Sequence, residues 1–404
     1  MPSFFRCILP LAALTFSLHA ADWPNYRGPH HNGISDEKGW NATFGTTPPK
    51  VLWSAEVGLG FSTFAVADGR VYTTGNEKNT DTVFCFDATT GKLIWSHPYP
   101  ADLGDKFFEG GTTGTPSVSD GRVYQLSRWG DVFCFDAATG KVIWNKNVQT
   151  ETGATVPDWG FGGSPLVAGD KVILNVGESG MALNKADGKI DWQSGTESAG
   201  YSTPVPVTKD DRSLVVFANG KAFQEVEVSS GSQLWQYPWP TRYGVNAADP
   251  VIAGPNEIFV SSGYNRGCAL LRLAPATPPE VVWQNKELRT QMNPAVLVKG
   301  FLYGIDNDQN ARAMLKCVEL ATGAVKWTAP EVGFGSVTVA DGKLIVLSAK
   351  GELYVADVSA EKFAVISHAP ILTGKCWSAP VLANGRLYAR NSTGNVVCLD
   401  MKGK

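Results

Sequence analysis

The side chains that could do chemistry in this chain lie in one recurring place. Thr63, Thr115, Ser164, Thr203, Asp249, Asn293, Ser336 and Ala379 each stand just before a short apolar run, most often before a proline. Two positions earlier the series reads Phe61, Thr113, Gly162, Tyr201, Ala247, Gln291, Phe334 and Trp377, with Trp159, Arg242 and Arg289 close by. Hydroxyls, amides and one carboxylate against an aromatic wall make the inventory of a small-molecule or peptide site. A competing reading is that the collar only solvates a narrow channel and satisfies backbone ends. Both readings stand on residue types alone.

Elsewhere the chemistry is thin. No Cys-x-x-Cys-His, His-Glu-x-x-His, Gly-x-Ser-x-Gly or phosphate loop occurs. His30 and His31 are adjacent, and neighbours on an extended chain point apart, which disfavours a shared metal. His97 and His368 are read as surface residues following outer strands. The net charge of −3 and the absence of a basic stripe exclude nucleic acid as an expected partner. Cys85, Cys134, Cys317 and Cys398 share one place in the repeat described next, with Cys268 taken as a further counterpart. Such repeated placement describes small buried hydrophobes, too far apart for bridges.

What positions the collar is a repeat. Ala-Thr-Thr-Gly-Lys-Leu-Ile-Trp ends at Trp95 and Ala-Ala-Thr-Gly-Lys-Val-Ile-Trp at Trp144, with looser copies ending at Trp192, Trp235, Trp283 and Trp327. Steps of 43 to 49 residues, each with a turn and an aromatic anchor, are the signature of a β-propeller blade. In 113–148 the two-residue turn at Asp120-Gly121 joins the inner strand to the second. Gly130-Asp131 turns the chain again, and Thr139-Gly140 precedes the fourth strand. The Asp-x-x-Thr-Gly turns are read as structural, Asp capping and Gly taking positive φ. Six units end in tryptophan. A seventh begins near Gly335 with its tryptophan lost, Val365 lying near that place. An eighth has only three strands, and residues 50–57, including Trp53, repeat the missing fourth strand in phase. The reading is all-β: an eight-bladed propeller of four-stranded blades over 48–404, closed by an N-terminal strand so that no edge is left open.

Ahead of it, residues 1–20 carry Arg6, an apolar run too short to span a bilayer, and Leu18-His19-Ala20, the pattern of a cleaved Sec-type signal peptide. Cys7 lies upstream of that cleavage point, so no lipid-bearing cysteine is expected. No other stretch suits a membrane helix, and the mature protein is expected to be periplasmic or secreted, and a monomer. Residues 21–47 are rich in aromatics and turn formers and are expected to pack on the propeller.

The Phe-Asp-Ala-x-Thr-Gly-Lys-x-Ile-Trp repeat resembles the tryptophan-docking motif of the quinoprotein (pyrroloquinoline quinone) propeller superfamily. Trp23-Pro24-x-x-Arg27-Gly28-Pro29 resembles the opening of exported quinoprotein-repeat proteins of planctomycete-type bacteria. The resemblance implies that Trp53, Trp95, Trp144, Trp192, Trp235, Trp283 and Trp327 each pack on the neighbouring blade's turn, and that blade 7 is the weak joint. It also implies two functional classes. Quinoprotein dehydrogenases use pyrroloquinoline quinone with Ca2+, and their alcohol-oxidising members stack the quinone on a disulfide of adjacent cysteines, a pair this chain lacks. The other class, which includes the outer-membrane barrel-assembly propeller lipoproteins, needs no cofactor and binds proteins. The expectation is an exported, non-catalytic propeller without cofactor, presenting a rigid face to a protein, peptide or other ligand in the envelope. A quinone-dependent alcohol, sugar or polymer dehydrogenase is the alternative; the resemblance would then place Ca2+ at Asp249 and Asn293, although calcium takes 6–8 oxygens, and Asp249 would also have to serve as general base.

Overall fold

In the computed structural model, residues 21–403 are described except 275–276 and 308–311. Eight separate sheets follow one another along the chain. Blades 1 to 7 occupy 65–100, 117–147, 166–193, 205–238, 251–285, 296–329 and 335–370, each an antiparallel meander running from inner to outer strand. Blade 8 takes its three inner strands from 381–400, and its outer strand is Val51–Glu56. The pairs Trp53↔Cys398, Ser54↔Val397 and Ala55↔Val396 set the closing register. The architecture is thus the eight-bladed β-propeller with strand exchange. Among the described residues the single helix is the short Val148–Thr152.

The tryptophans bind the blades in the way the repeat implies. Trp95 Nε1 donates to Ala137 O at 3.0 Å, and Trp53, Trp144, Trp192, Trp283 and Trp327 donate likewise to the turn of the next blade. Glycine at these turns is required by close approach as well as by dihedral angle. Gly140 has φ +71°, and a Cβ there would lie 2.5 Å from the Trp95 ring. Trp235 also packs into the apolar contact between blades 4 and 5, but its N–H has no hydrogen-bond partner.

Across the strands, tyrosine, cysteine and tryptophan stand side by side in four blades. Tyr124↔Cys134↔Trp144 is one such row, and Cys85, Cys317 and Cys398 sit in the equivalent rows. All six cysteines of the described chain are buried and unbridged. Burial pushes the Cys134 thiol up to about 11, so these are inert core groups. Cys268 is not the blade 5 counterpart: Leu270 pairs with Trp283, and Cys268 lies two residues away opposite Asn285. The two histidines assigned to positions after the outer strands lie within them. His97 rests on Phe133 and Phe135, and His368 stacks on Tyr354 at 4.1 Å.

Blade 7 corrects the reading more deeply. The tryptophan position, opposite Val355, is held by Ser367 rather than Val365. Its Oγ donates to Ala42 O at 2.8 Å and accepts from Gly45 N at 3.0 Å. Residues 34–45 run through the joint between blades 7 and 8. Ile34–Ser35 pair in parallel with the inner strand of blade 7, and Ser35 Oγ donates to Leu382 O in blade 8. Trp40, 7 % exposed, packs among Ile345, Leu353 and Val355 of one blade and Leu382, Leu387 and Leu399 of the other. The joint without an indole of its own is filled by an indole from the tail.

Arg390 reinforces the neighbouring closure. It is fully buried and donates to Gly58 O, Ser62 O and Thr74 O, tying blade 8 to blade 1. Burial pulls its pKa down to about 9; three carbonyls stand in for a counter-ion.

Trp144→Ala and Trp40→Ala should each destabilise by roughly 3–5 kcal/mol, the range for truncating a large core aromatic. Denaturant titration checks both. A loss under about 1 kcal/mol for Trp40→Ala would mean that the tail only decorates the joint.

Candidate functional site

The collar residues are brought together around the axis, and most of their polar atoms are already engaged. Thr63 N donates to Thr115 Oγ1, Thr115 N to Ser164 Oγ, Ser164 N to Thr203 Oγ1, each at 3.0 Å, and Thr203 N to Asp249 Oδ1 at 2.7 Å. Each blade's side chain thus accepts the backbone N–H of the blade before it. Thr63 Oγ1 donates to Ala379 O in blade 8. Asn293 Nδ2 donates to Gly335 O and Trp377 O, linking blades 6, 7 and 8. Ser336 is buried inside the first strand of blade 7, and its hydroxyl has no partner. The collar's main work is to satisfy inner-strand backbone ends across blade boundaries.

The other half of the axis is filled by the tail. Trp23 pairs with Val66 on the inner strand of blade 1, and Val118 N of blade 2 donates to Pro24 O. Asp22 bonds Asp68 N and Asn384 Nδ2 at inner hairpin turns, so the tail enters from the turn face, opposite the collar mouth. Gly28 (φ +79°) lets the chain fold back on the Trp23 ring, where a Cβ would come within 2.8 Å. That is the physical content of the Trp-Pro-x-x-Arg-Gly signal. Arg27, 6 % exposed, reaches the collar level, and its Nη2 donates to Ala295 O at 2.8 Å and Asn32 O at 3.0 Å. Arg27 and Asp249 attract through space without a direct ion pair. Burial pushes the Asp249 carboxyl up to about 7, against the pull of Arg27 and the Thr203 N–H. His31 is pulled down to about 4 by burial and by Arg27, and His30 bonds Asp36 at 3.0 Å, so the two histidines serve separate ends.

On the mouth face aromatic side chains, the predicted ones among them, stand partly exposed in three groups. Trp377 touches Phe61 (centroids 5.5 Å) and Phe334 (5.3 Å), with Lys375 Nζ 4.3 Å from its ring and paired to Glu109. Trp159 meets Tyr201 at 5.9 Å and Phe107 at 5.1 Å. Tyr243, beneath Arg242, meets Tyr264, whose hydroxyl accepts from Gln291. Phe107 and Tyr243 are the most open of these, at 51 % and 47 %. Arg289 is committed to the buried carboxylate of Asp306, shared with Lys316; the two cations overcome the upward push of burial and hold Asp306 low. Sequence alignment of the repeats missed Phe107, Phe108 and Tyr264, which lie in loops of unequal length.

A family profile described as outer membrane protein assembly factor BamB matches residues 35–112 and 101–329. The chain belongs to this family. No curated protein matches it. Among solved structures, BamB from Moraxella catarrhalis is 16 % identical, with TM-score 0.62, covering 89 % of this chain and 99 % of its own. Quinohemoprotein alcohol dehydrogenase from Comamonas testosteroni is 14 % identical, with TM-score 0.70, covering 95 % and 81 %. A europium-containing methanol dehydrogenase is 12 % identical, with TM-score 0.71, covering 91 % and 89 %. These likenesses establish the shared fold.

The residues at the axis do not fit the calcium and quinone of the dehydrogenase alternative. Asp249 accepts a backbone N–H and faces the Arg27 guanidinium, which competes with any cation for the carboxylate. The Asn293 amide is turned to two carbonyls through its nitrogen. No group of three His, Cys, Asp or Glu able to hold a metal occurs among the described residues. The tail occupies the channel beneath.

Because Asp249 keeps its proton up to about pH 7 when folded but loses it near 3.8 when unfolded, the native state binds more protons between these values. Stability should therefore fall as pH rises through this window, with the full cost present above pH 7. Asp249→Asn should flatten that slope and stabilise at pH 8 by up to ~4 kcal/mol. Urea midpoints at pH 5 and 8 test the sign.

Proposed function

We propose that this chain is an exported, non-catalytic propeller whose mouth face binds a protein or peptide partner in the cell envelope, without a quinone. The observation that carries this reading is the state of the axis. The collar hydroxyls other than that of Ser336, which is buried, are spent on neighbouring blades, and the tail fills the channel from the other face, so the surface left to a partner is the aromatic mouth. Partly exposed Tyr, Trp and Arg side chains on rigid loops are the residue types that dominate protein interfaces. Membership of a family described as an assembly factor supports the protein-binding class. Among the described residues no helix is long and apolar enough to cross a membrane, in keeping with an exported protein whose first twenty residues, the expected signal peptide, lie outside the described set. The acidic balance of the chain agrees with a partner other than nucleic acid.

The dehydrogenase reading rests on the same fold and on Asp249 and Asn293 alone. It would require the carboxylate to leave both the Thr203 N–H and the Arg27 field.

Two measurements separate the readings. Purified protein supplied with pyrroloquinoline quinone and Ca2+ should acquire no chromophore and reduce no dye with alcohols. Photo-cross-linkers at Tyr243 and Phe107 should capture a discrete envelope protein, while one at Ile143 on the outer rim should not. A quinone-dependent activity abolished by Asp249→Ala or Asn293→Ala would replace this reading with the enzymatic one.

A further inference from the structure

Where the tail meets the inner strands of blades 6 and 7, a cavity of about 20 Å3 remains beside the axis. Its wall includes Tyr26, Arg27, Asn293, Val337 and Thr338. The guanidinium is oriented by two bonds through Nη2, to Ala295 O and Asn32 O, and by packing on Gly33, where a Cβ would stand 3.1 Å from that nitrogen. The other terminal nitrogen, Nη1, is buried and has no hydrogen-bond partner. Tyr26 lines the same space as a neutral phenol, because burial and the nearby Asp249 push its pKa well above the ordinary value. The other side chains of the wall are used or apolar. Asn293 spends its nitrogen on Gly335 and Trp377, and Thr338 Oγ1 donates to Pro380 O. No carboxylate lines the cavity among the described residues.

An orphaned buried cation beside a phenol, with no acidic lining, wants negative charge. A buried guanidinium with no counter-ion in contact is costly, since a buried charge must be paired or hydrogen-bonded. Asp249 cannot fully supply this, because it makes no direct ion pair with Arg27 and its own burial favours the protonated form. We propose that the cavity binds one small monovalent anion of chloride size, held by Arg27 Nη1 and the Tyr26 hydroxyl. The space is a little above the ~10–15 Å3 needed for one water, which suits an ion of about that size. Both ligands belong to the tail, while the opposing wall belongs to blades 6 and 7. Anion binding and tail docking are therefore linked: the ion stabilises the plugged channel in proportion to its occupancy.

The inference stands apart from the reading of the mouth face and is tested without a partner. Crystals of the full mature chain grown in sodium bromide should show an anomalous peak in contact with Arg27 Nη1. In solution, replacing gluconate with chloride at fixed ionic strength should raise the melting temperature by about 2 °C or more. Tyr26→Phe, which keeps the ring packing, should lower bromide occupancy and shrink the chloride increment, and Arg27→Met should abolish both. At pH 8, where the Asp249 carboxyl is ionised, Asp249→Asn should enlarge the increment by removing the competing negative charge. Should Arg27→Met fail to fold, the Tyr26→Phe and Asp249→Asn pair still decides the sign. A water in place of bromide, with equal melting in the two salts, would overturn the proposal. So would bromide bound at surface sites alone.

Discussion

No blade of this protein can bury both of its faces alone. Everything else in the molecule is a way of meeting that constraint eight times around a circle. In six outer strands an indole reaches over the boundary to a turn carbonyl of the next blade, and a glycine gives it room, as at Trp95 and Gly140. The collar does the same near the axis with hydroxyls in place of rings. The boundary is thus fixed at two radii, by an apolar rivet outside and a hydrogen-bond relay inside. Burying a large aromatic contributes through its area, whereas the relay mainly avoids leaving buried N–H groups unmet.

The two boundaries flanking blade 8 break the pattern, and both are repaired by the N-terminal segment. At one, Val51–Glu56 supplies the missing strand and Trp53 the usual indole, with Arg390 binding carbonyls across the gap. At the other, Ser367 replaces the indole and holds the tail, which inserts Trp40 from outside the repeat. The same segment continues inward to Arg27. One stretch of chain therefore closes the ring, fills the joint that lacks an indole of its own and occupies the channel.

The ring was legible in the sequence because its signals repeat. Six tryptophans at near-constant spacing, and a strand at residues 50–57 in phase with them, carry the blade count and the closure without any long-range knowledge. The collar was also visible, since the proline after most of its members gives the alignment. Its purpose was not, because whether Thr115 Oγ1 faces a ligand or the Thr63 N–H depends on the stagger between blades. Signals that occur once were not read. Trp40 has no copy to align with, and Arg27 is a single basic residue whose burial depends on residues 222 and 268 positions away in sequence, Asp249 and Ala295. Cys268 and Val365 were misplaced because the counterpart in each blade is set by strand register and a bulge, not by distance from a turn.

The bond between Asn395 and Glu56 spans 339 positions of sequence, and that separation constrains how the molecule can come into being. A chain synthesised from its N-terminus presents Trp40 and the pairing edge of Val51–Glu56 early, while the residues of blades 7 and 8 that enclose the one and pair with the other arrive last. Loop-closure entropy grows only slowly with length, so the finished circle loses little by this order. The newborn chain is exposed by it: until the final residues appear, it carries an unpaired strand and, in Trp40, a large indole with nowhere to go, the kind of edge that invites a holder or a wrong neighbour.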